Sequence, residues 1–176
     1  ALSCFIRYIN TINVFEKSAL IGTDANPGIV DESVRRVQEY NMSPGNNSLT
    51  EVHWSNFLAA HFHNRIQHYL KECSPAFHVG VPQINNMTIL KYEEGGFYKY
   101  HHDHARQAPR TLSLIYLLNN DYKGGELTFT DPHKKEEFNI DVLPNRLIIW
   151  PSVYLFPHKV NPIKEGKRYS IVSWAL

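Results

Sequence analysis

The stretch TLSLIYLLNNDYKGGELTFT, residues 111–130, combines two runs of β-forming residues with two sets of turn residues. The runs are TLSLIYLLN and ELTFT, and the turn residues are NND at 119–121 and GG at 124–125. Short apolar runs bounded by Asn, Asp and Gly indicate strands joined by turns, because these residues adopt backbone angles that strands exclude. The stretch therefore predicts consecutive β-strands with no helix between them.

The same pattern continues on both sides of this stretch, from Pro75 onwards. The six further β-type runs are NMTILKYE, GFYKYHHD, EEFNIDVL, RLIIWPS, YLFPHKV and RYSIVSWAL. Eight closely spaced strands without intervening helices predict a double-sheet jelly roll, also called a double-stranded β-helix. An ordinary β-sandwich is the alternative, and periodicity alone does not separate the two. The expected fold class is mainly β with flanking helices (α+β).

The segment before these strands has a helical pattern instead. Apolar residues recur at steps of three and four between His53 and Glu72, which predicts an amphipathic helix that a Ser-Pro pair ends. The sequence contains no internal repeat or linker. We therefore expect residues 1–176 to form one domain, with 1–75 as a helical and irregular support and 76–176 as the jelly-roll core.

The composition excludes several classes of partner. Eighteen basic and seventeen acidic side chains leave a net charge of +1, so we expect no general attraction to nucleic acid or to an anionic membrane. No apolar run reaches the ~18 residues of a transmembrane helix, and no signal-peptide pattern opens the sequence. Two cysteines, Cys4 and Cys73, are too few for a disulfide framework. These features favour a cytoplasmic location and leave the oligomeric state open.

The stretch YKYHHDHARQ, residues 98–107, contains three histidines and one aspartate in four consecutive positions. Because side chains alternate between the faces of a strand, His101 and Asp103 share one face while His102 and His104 share the other. A His-x-Asp pair with a distant second histidine forms the two-histidine, one-carboxylate triad that binds Fe(II). A His-x-His pair usually needs a glutamate soon afterwards, and none follows here. We therefore prefer the first pair as the metal arm, with the second pair pointing outward or lying beside the ligands.

His158, in FPHKVNPIKEGKRYSIVSW, is the candidate for the distant ligand because it lies in a β-type run. Arg168 and Ser170 follow it and lie two positions apart, so a strand would present both on one face. A guanidinium and a hydroxyl on one face suit the carboxylate of a ligand. Together, His101, Asp103, His158 and Arg168 favour a site that binds a metal and a carboxylate over a polar loop in which histidines occur by chance.

Residues 92–176 resemble the catalytic domain of the prolyl 4-hydroxylase-like Fe(II)/2-oxoglutarate dioxygenases. The resemblance rests on YEEGGFYKYHHD, then RTLSLIYLLNNDYKGGELTF, then LIIWPSVYLFPHKVNPIKEGKRYSIVSW, in this order. The second of these motifs is also similar to a bacterial branch of the family. The N-terminal half matches only loosely, through the helix and the segment VDESVRR.

The resemblance implies that His101, Asp103 and His158 are the iron ligands. It also implies that Arg168 takes the family's basic position, which pairs with the C5 carboxylate of 2-oxoglutarate. Some members carry lysine there, and arginine allows bidentate pairing. These four residues are the expected catalytic set.

The family's motifs also imply roles for several hydroxyl-bearing residues. Tyr92 and Tyr116 match tyrosines that line the cosubstrate. Some members have a threonine after the GGE sequence that helps to hold the cosubstrate, whereas this chain has Leu127. Ser170 or Tyr116 is therefore expected to supply the missing hydrogen bond.

For the substrate, Tyr98 and Trp174 match aromatic positions near the reacting group. Arg110, or Arg106 in the same loop, is expected to hydrogen-bond the substrate backbone. The implied reaction is hydroxylation of a C–H bond, with a peptidyl proline in a peptide or protein as the expected substrate. The implied cofactors are Fe(II), 2-oxoglutarate, O2 and ascorbate, and the products include succinate and CO2.

Two alternatives compete with this interpretation. One is an oxygenase of the same fold that acts on another protein residue, a small molecule or a nucleic acid. The near-neutral charge and the absence of a doubled-arginine C-terminal motif argue against nucleic acid. The other is a non-catalytic metal-binding jelly roll that uses the same residues, or His102 and His104. The presence of a complete triad together with Arg168 argues against this second alternative.

Overall fold

The computed structural model describes residues 2–11, 15–18, 29–42, 49–77 and 83–176. These ranges contain two α-helices, α1 (Leu2–Thr11) and α2 (Leu49–Cys73), and a 3₁₀ turn at Ser74–Phe77. The predicted amphipathic helix is confirmed as α2, and it begins earlier than the periodicity indicated. Within these ranges, no helix combines the length and apolarity needed to cross a membrane.

Thirteen strands occur in the described ranges and are numbered in chain order. They are β1 (Glu16–Lys17), β2 (Arg35–Arg36), β3 (Gln38–Asn41), β4 (Ile84–Tyr92), β5 (Phe97–His101), β6 (Leu112–Leu117), β7 (Lys123–Gly124), β8 (Leu127–Thr130), β9 (Glu137–Ile140), β10 (Leu147–Pro151), β11 (His158–Val160), β12 (Ile163–Glu165) and β13 (Arg168–Ala175).

Two antiparallel sheets form the body of the protein. The larger sheet has the order β1-β3-β4-β13-β6-β10, and the smaller has the order β2-β5-β11-β8-β9. β7 and β12 form a separate two-stranded pair. In the larger sheet, β13 is central and pairs with β4 on one side and β6 on the other. Two antiparallel sheets of this kind are the jelly-roll architecture that the strand pattern predicted.

The interior between the sheets is one cluster of buried apolar side chains. The larger sheet contributes Leu90, Ile115 and Val172, and the smaller sheet contributes Leu127 and Val160. Burying each such side chain stabilises the fold by about 1.5–3 kcal/mol relative to leaving it in water. Residues of β4, β5, β11 and β13 that face this interior are consequently held close to one another.

The opposite face of the larger sheet packs against the helices. Phe5 and Ile9 of α1 and Ile66 and Leu70 of α2 form a second buried cluster with sheet residues such as Ile171. Both faces of β13 are covered, so nearly all of its residues are buried. Burial along β13 therefore does not alternate as it does in a strand with one face in water.

Three short strands before α2 were not predicted from the sequence. β2 pairs with β5 and β3 pairs with β4, so this segment extends both sheets of the jelly roll. The three sequences EK, RR and QEYN are short and charged, and periodicity gives them no strand signal. They are strands because their backbone groups complete the hydrogen bonding of β4 and β5.

The run YLFPHKV forms a turn followed by a strand instead of one continuous strand. The turn is closed by the Phe156 N–H, which donates to the Val153 carbonyl at 3.2 Å. Pro157 has no N–H to give to a sheet ladder. β11 therefore begins at His158 itself, which fixes this histidine at the end of a strand.

Candidate metal centre and carboxylate pocket

Three side chains that were predicted to bind metal meet inside the jelly roll. His101 ends β5 and His158 begins β11, and the two residues are direct partners in the sheet. Asp103 lies two residues after His101, and its carboxylate points towards both His101 and His158. Its Oδ1 lies 3.6 Å from His101 Nε2, and its Oδ2 lies 3.5 Å from His158 Nε2. Candidate ligand atoms of the three residues all lie within 4.8 Å of one another.

Both histidines are held in the tautomer that leaves Nε2 free to bind a metal. His101 Nδ1 lies 2.9 Å from the Lys99 carbonyl, and His158 Nδ1 lies 3.2 Å from the Phe156 carbonyl. Because a carbonyl only accepts hydrogen bonds, each Nδ1 carries the proton and donates it. Each Nε2 therefore presents its lone pair towards Asp103. Hydrogen bonds of this kind orient metal-binding histidines in proteins generally.

The surroundings keep these imidazoles neutral. Burial, and after it the nearby His158, lowers the pKa of His101 to about 4, although the Asp103 carboxylate opposes the shift. Burial also lowers the pKa of His158. A histidine with a lowered pKa remains unprotonated at neutral pH, so both Nε2 atoms are free to coordinate a cation.

Asp103 is fixed by partners that the sequence did not indicate. The Ser113 hydroxyl donates to Asp103 Oδ2 at 2.6 Å, and Ser113 Oγ lies 2.8 Å from Ser152 Oγ. Both serines are fully buried. Arg110 Nη1 donates to the Asp103 main-chain carbonyl at 3.3 Å. These contacts orient the Asp103 carboxylate, and its oxygens keep lone pairs that a metal could use.

Two nitrogens and one carboxylate oxygen converging on one point fit a two-histidine, one-carboxylate site for Fe(II). His102 and His104 are exposed and stand outside this cluster. His104 Nδ1 instead lies 2.9 Å from the Arg110 carbonyl. The structure therefore brings the His-x-Asp pair together and leaves His102 and His104 outside it, with Asp103 in the bend that follows β5.

A strand irregularity brings Tyr98 next to the metal cluster. In a regular strand, residues three apart point to opposite faces. The register between β5 and β11 shifts between His158 and Val160, which pair with His101 and Tyr98 respectively. This bulge-like shift places Tyr98 and His101 on the same side, and their rings stack with centroids 3.6 Å apart.

A cavity opens beside the cluster and contains most of the residues expected to contact cosubstrate or substrate. Tyr92, Tyr98, Arg110 and Trp174 line it together with the three candidate ligands. The Arg110 guanidinium lies over the Trp174 ring, with Cζ 3.5 Å from the ring centroid. Arg110 thereby connects the aromatic wall of the cavity to Asp103.

Arg168 is completely buried on the same interior face of β13. Its Nη1 donates to Ser170 Oγ at 3.3 Å, as expected for residues two apart on a strand. Its Nε and Nη2 have no hydrogen-bond partner among the described residues. These two donors share one edge of the guanidinium and match the two oxygens of a carboxylate. Burying a charged group without a partner costs free energy. The Nε–Nη2 edge of the guanidinium therefore fits an anionic ligand.

The expectation that Tyr116 lines the cosubstrate is corrected by the structure. Tyr116 lies on the outer face of the larger sheet, where its ring packs 5.5 Å from Phe62 and its hydroxyl donates to Asn145. Its neighbours Ile115 and Leu117 are the residues that face the interior. Because side chains alternate along β6, Tyr116 points away from Arg168 and cannot supply the hydrogen bond.

Sequence reasoning missed Arg35, which also lines the cavity. Its side chain is only 12% exposed, and its guanidinium lies 4.6 Å from the centre of the Tyr98 ring. The pairing of β2 with β5 puts Arg35 directly opposite Tyr98. The segment VDESVRR contained the arginine, but no local pattern indicated this long-range pairing.

The match to known proteins agrees with this geometry. The model of the 2OG-Fe(II) oxygenase superfamily matches residues 87–176. The chain belongs to the 2OG-Fe(II) oxygenase superfamily, and the predicted cofactors Fe(II), 2-oxoglutarate and O2 are those of this family.

Among curated relatives, the PKHD-type hydroxylase of Idiomarina loihiensis is 27% identical over 96 residues, covering 52% of this chain and 42% of that protein. A PKHD-type hydroxylase of Psychrobacter sp. is 37% identical over 93 residues, covering 47% of this chain and 34% of that protein. The chain thus spans less than half the length of these relatives.

Solved structures share the fold across nearly the whole chain. A prolyl-4-hydroxylase from Pseudomonas putida has a TM-score of 0.69 at 21% identity, covering 99% of this chain and 83% of that chain. A prolyl hydroxylase from Trichoplax adhaerens, in complex with a hypoxia inducible factor peptide fragment, has a TM-score of 0.74 at 18% identity, covering 99% of this chain and 76% of that chain. These likenesses confirm the predicted jelly-roll core.

Proposed function

We propose that this protein is an Fe(II)- and 2-oxoglutarate-dependent dioxygenase that hydroxylates a C–H bond of a peptidyl proline and releases succinate and CO2. The observation that carries the proposal is the pairing of two features inside one jelly roll. One is the cluster of His101, Asp103 and His158, and the other is the buried donor edge of Arg168. A metal site alone would suit many functions, whereas a metal site with a carboxylate pocket suits a 2-oxo acid as cosubstrate. Because β2 and β3 complete the two sheets, we propose that residues 1–176 act as one domain.

In this proposal, His101 Nε2, His158 Nε2 and the Asp103 carboxylate would hold the iron. Bound Fe(II) supplies the oxidative chemistry that side chains lack, coupling decarboxylation of 2-oxoglutarate by O2 to hydroxylation of a C–H bond. The carbonyls of Lys99 and Phe156 keep both imidazoles in the coordinating tautomer. With three protein ligands, such a site would leave further coordination positions for cosubstrate and O2.

Arg168 binds the C5 carboxylate of 2-oxoglutarate through Nε and Nη2. Ser170 holds the third guanidinium nitrogen, so the donor edge is oriented before the ligand arrives. The Tyr92 ring, which lines the metal cavity, lies 5.2 Å from the Arg168 guanidinium carbon. A pre-oriented donor pair loses little side-chain entropy on binding.

The substrate approaches over Tyr98 and Trp174, which present flat apolar surfaces to the cavity. Such surfaces suit the pyrrolidine ring of proline. Arg110 is held over Trp174 and donates to the Asp103 backbone, so it is positioned to hydrogen-bond a substrate carbonyl. Support for a peptide comes from the Trichoplax adhaerens relative, whose partner is a peptide fragment.

The test is mass spectrometry on proline-containing peptides incubated with the protein, Fe(II), ascorbate and 2-oxoglutarate. We expect a gain of one oxygen on proline, reduced roughly tenfold in Trp174→Ala by the loss of the aromatic surface. Tyr154→Ala, which removes a ring that is 75% exposed, is the control and should hydroxylate as the wild type does. Succinate formation with no oxygen gained by any peptide of a broad library would leave the dioxygenase proposal standing and contradict the prolyl substrate.

A second prediction concerns the hydrogen bond from Ser113 to Asp103. Ser113→Ala should weaken metal binding by roughly 10–100-fold, since residues that orient metal ligands contribute about this much. Calorimetric titration of the metal-free protein with Mn(II) measures the affinity without turnover. Ser113→Thr keeps a hydroxyl and should restore most of the affinity.

The control for this prediction is Ser173→Ala, which removes a buried hydroxyl on the outer face of the same sheet, where it donates to the Asn86 carbonyl. This variant should bind Mn(II) as the wild type does. Equal losses in Ser113→Ala and Ser173→Ala would mean that the Asp103 carboxylate does not depend on Ser113.

A further inference from the structure

A second cavity, here called the outer cavity, lies on the opposite side of the larger sheet from the metal cluster. It is bounded by α1, α2 and the outer face of β6 and β10, and its volume is about 710 Å³. Tyr116 lines it, whereas the neighbouring Ile115 lines the metal cavity. Among the residues that the structure describes, the two cavities have no lining residue in common. The larger sheet therefore separates the outer cavity from the metal centre.

The walls of the outer cavity are mostly apolar and aromatic. The ring of Phe62 joins the helices to the sheet, since its centroid lies 5.4 Å from that of Phe5 and 5.5 Å from that of Tyr116. Leu147 and Ile149, on the edge strand β10, are only half-buried under the helices. A ligand over these two side chains would remove apolar surface from water, which is favourable. The other apolar and aromatic lining residues are Leu2, Phe57, Ile66 and Tyr69.

The size and lining of the outer cavity are those of a small-molecule site. Such sites generally measure about 300–1,000 Å³ and combine mostly apolar walls with a few polar groups. Aromatic walls favour a ligand with rings, because stacked and edge-to-face contacts between rings add to the gain from burial. The polar or weakly polar lining residues are His61, Arg65, Cys73 and Asn145.

The charge of the outer cavity fits an anionic ligand. None of its described lining residues is acidic, and Arg65 is basic. Arg65 forms no ion pair within the described part of the chain, and Glu72 of the same helix lies 3.3 Å from His68 instead. Burial raises the pKa of Tyr116, and the positive charge of Arg65 opposes this rise, so the charge acts on the cavity wall. An anionic group in the cavity would therefore be attracted to Arg65.

His61 adds a second nitrogen group beside Arg65. The two residues lie four positions apart on α2, so their side chains are neighbours on one face of the helix. An imidazole carries at least one N–H donor in each of its protonation states. One anionic group can therefore contact both side chains.

We propose that the outer cavity binds a small aromatic molecule that carries one anionic group. The rings lie over Leu147 and Ile149, and the anionic group pairs with Arg65 and accepts a hydrogen bond from His61. This inference is independent of the proposed function, because the outer cavity and the metal centre lie on opposite faces of the larger sheet.

The experiment is fluorescence titration of the folded protein with 8-anilinonaphthalene-1-sulfonate, whose emission rises when it binds apolar surface. N-phenyl-1-naphthylamine has the same rings without the sulfonate and is the neutral comparison. Arg65→Gln should raise the Kd of the sulfonate probe roughly fivefold, as expected for one partly exposed ion pair. The Kd of the neutral probe should not change. Leu147→Trp places a larger side chain in the cavity and should weaken binding of both probes roughly tenfold.

The matched control is Lys71→Gln, which removes a positive charge from an exposed position on the same helix, outside the outer cavity. Both Kd values should equal those of the wild type. Thermal unfolding shows whether each variant is folded. If Leu147→Trp does not fold, Ile149→Phe takes its place, since it fills the same wall with a smaller ring.

Four results would overturn this inference. Equal weakening of the sulfonate probe by Arg65→Gln and Lys71→Gln would show a response to overall charge alone. Equal weakening of both probes by Arg65→Gln would show that Arg65 only shapes the cavity. Unchanged binding in a folded cavity-filling variant would place the probes elsewhere on the protein. Displacement of the sulfonate probe by Mn(II) with 2-oxoglutarate would place it in the metal cavity.

Discussion

Asp103→Ala is expected to abolish Fe(II)-dependent turnover and to reduce metal affinity by more than the roughly 10–100-fold that supporting residues contribute. The variant removes the only anionic ligand of the candidate cluster, so two neutral imidazoles would have to bind a divalent cation without charge compensation. It also leaves Ser113 without its acceptor. The measurements are succinate formation from 2-oxoglutarate and calorimetric titration with Mn(II).

The matched control is His102→Ala, which changes the residue between the two ligands in the sequence. His102 is exposed and stands outside the cluster, so the variant should keep most of its metal affinity and turnover. Thermal unfolding of both variants without metal separates loss of a ligand from loss of the fold. Retention of metal by His101→Ala and its loss in His102→Ala would mean that the opposite face of the segment binds the metal.

Arg168→Ala is expected to raise the 2-oxoglutarate concentration needed for half-maximal turnover by roughly 10–100-fold. This follows because charge-assisted hydrogen bonds contribute about 1.5–3 kcal/mol and each 1.36 kcal/mol corresponds to a factor of ten. Mn(II) affinity should remain at the wild-type value. Arg168→Lys keeps the charge but loses the bidentate geometry, so its effect should lie between those of the wild type and Arg168→Ala.

Arg65→Ala is the control for Arg168→Ala, since Arg65 is an exposed arginine on α2. It should not alter the dependence on 2-oxoglutarate. An unchanged 2-oxoglutarate dependence in Arg168→Ala, with the protein folded, would contradict the carboxylate pocket. A parallel loss of Mn(II) affinity would indicate that Arg168 supports the metal cluster instead.

Strand alternation divided the histidine-rich segment into a His-x-Asp pair and a His-x-His pair, and the absence of a glutamate after His104 favoured the first pair as the metal arm. His101 is the last residue of β5 and Asp103 lies two residues beyond it, whereas Arg168 and Ser170 are two residues apart within β13. Over such short spacings the local backbone alone decides which side chains share a face. The pairing of Arg168 Nη1 with Ser170 Oγ is the direct result of that geometry.

Alternation gave no such guide for Tyr116, because β6 is buried on both faces. Its sequence LSLIYL is apolar almost throughout. No polar face therefore indicates which of the two alternating sets of side chains points into the jelly roll. A motif match placed Tyr116 beside the cosubstrate. The packing of α2 against the outer face of the sheet, through residues such as Phe62, placed it on the other side.

The sequence by itself determined the strand-rich core, the long helix, the His-x-Asp metal arm with its distant histidine, and the arginine and serine of one strand face. Each of these depends on spacing within one strand or helix, or on several motifs in a fixed order. Only the tertiary structure decided the positions of Tyr98, Arg35 and Ser113. A register shift between β5 and β11 turns Tyr98 towards the ligands, and pairing of β2 with β5 brings in Arg35. Ser113 takes its role from its hydrogen bond to Asp103, which joins the interior face of β6 to the bend after β5 and leaves no periodic signal in the sequence.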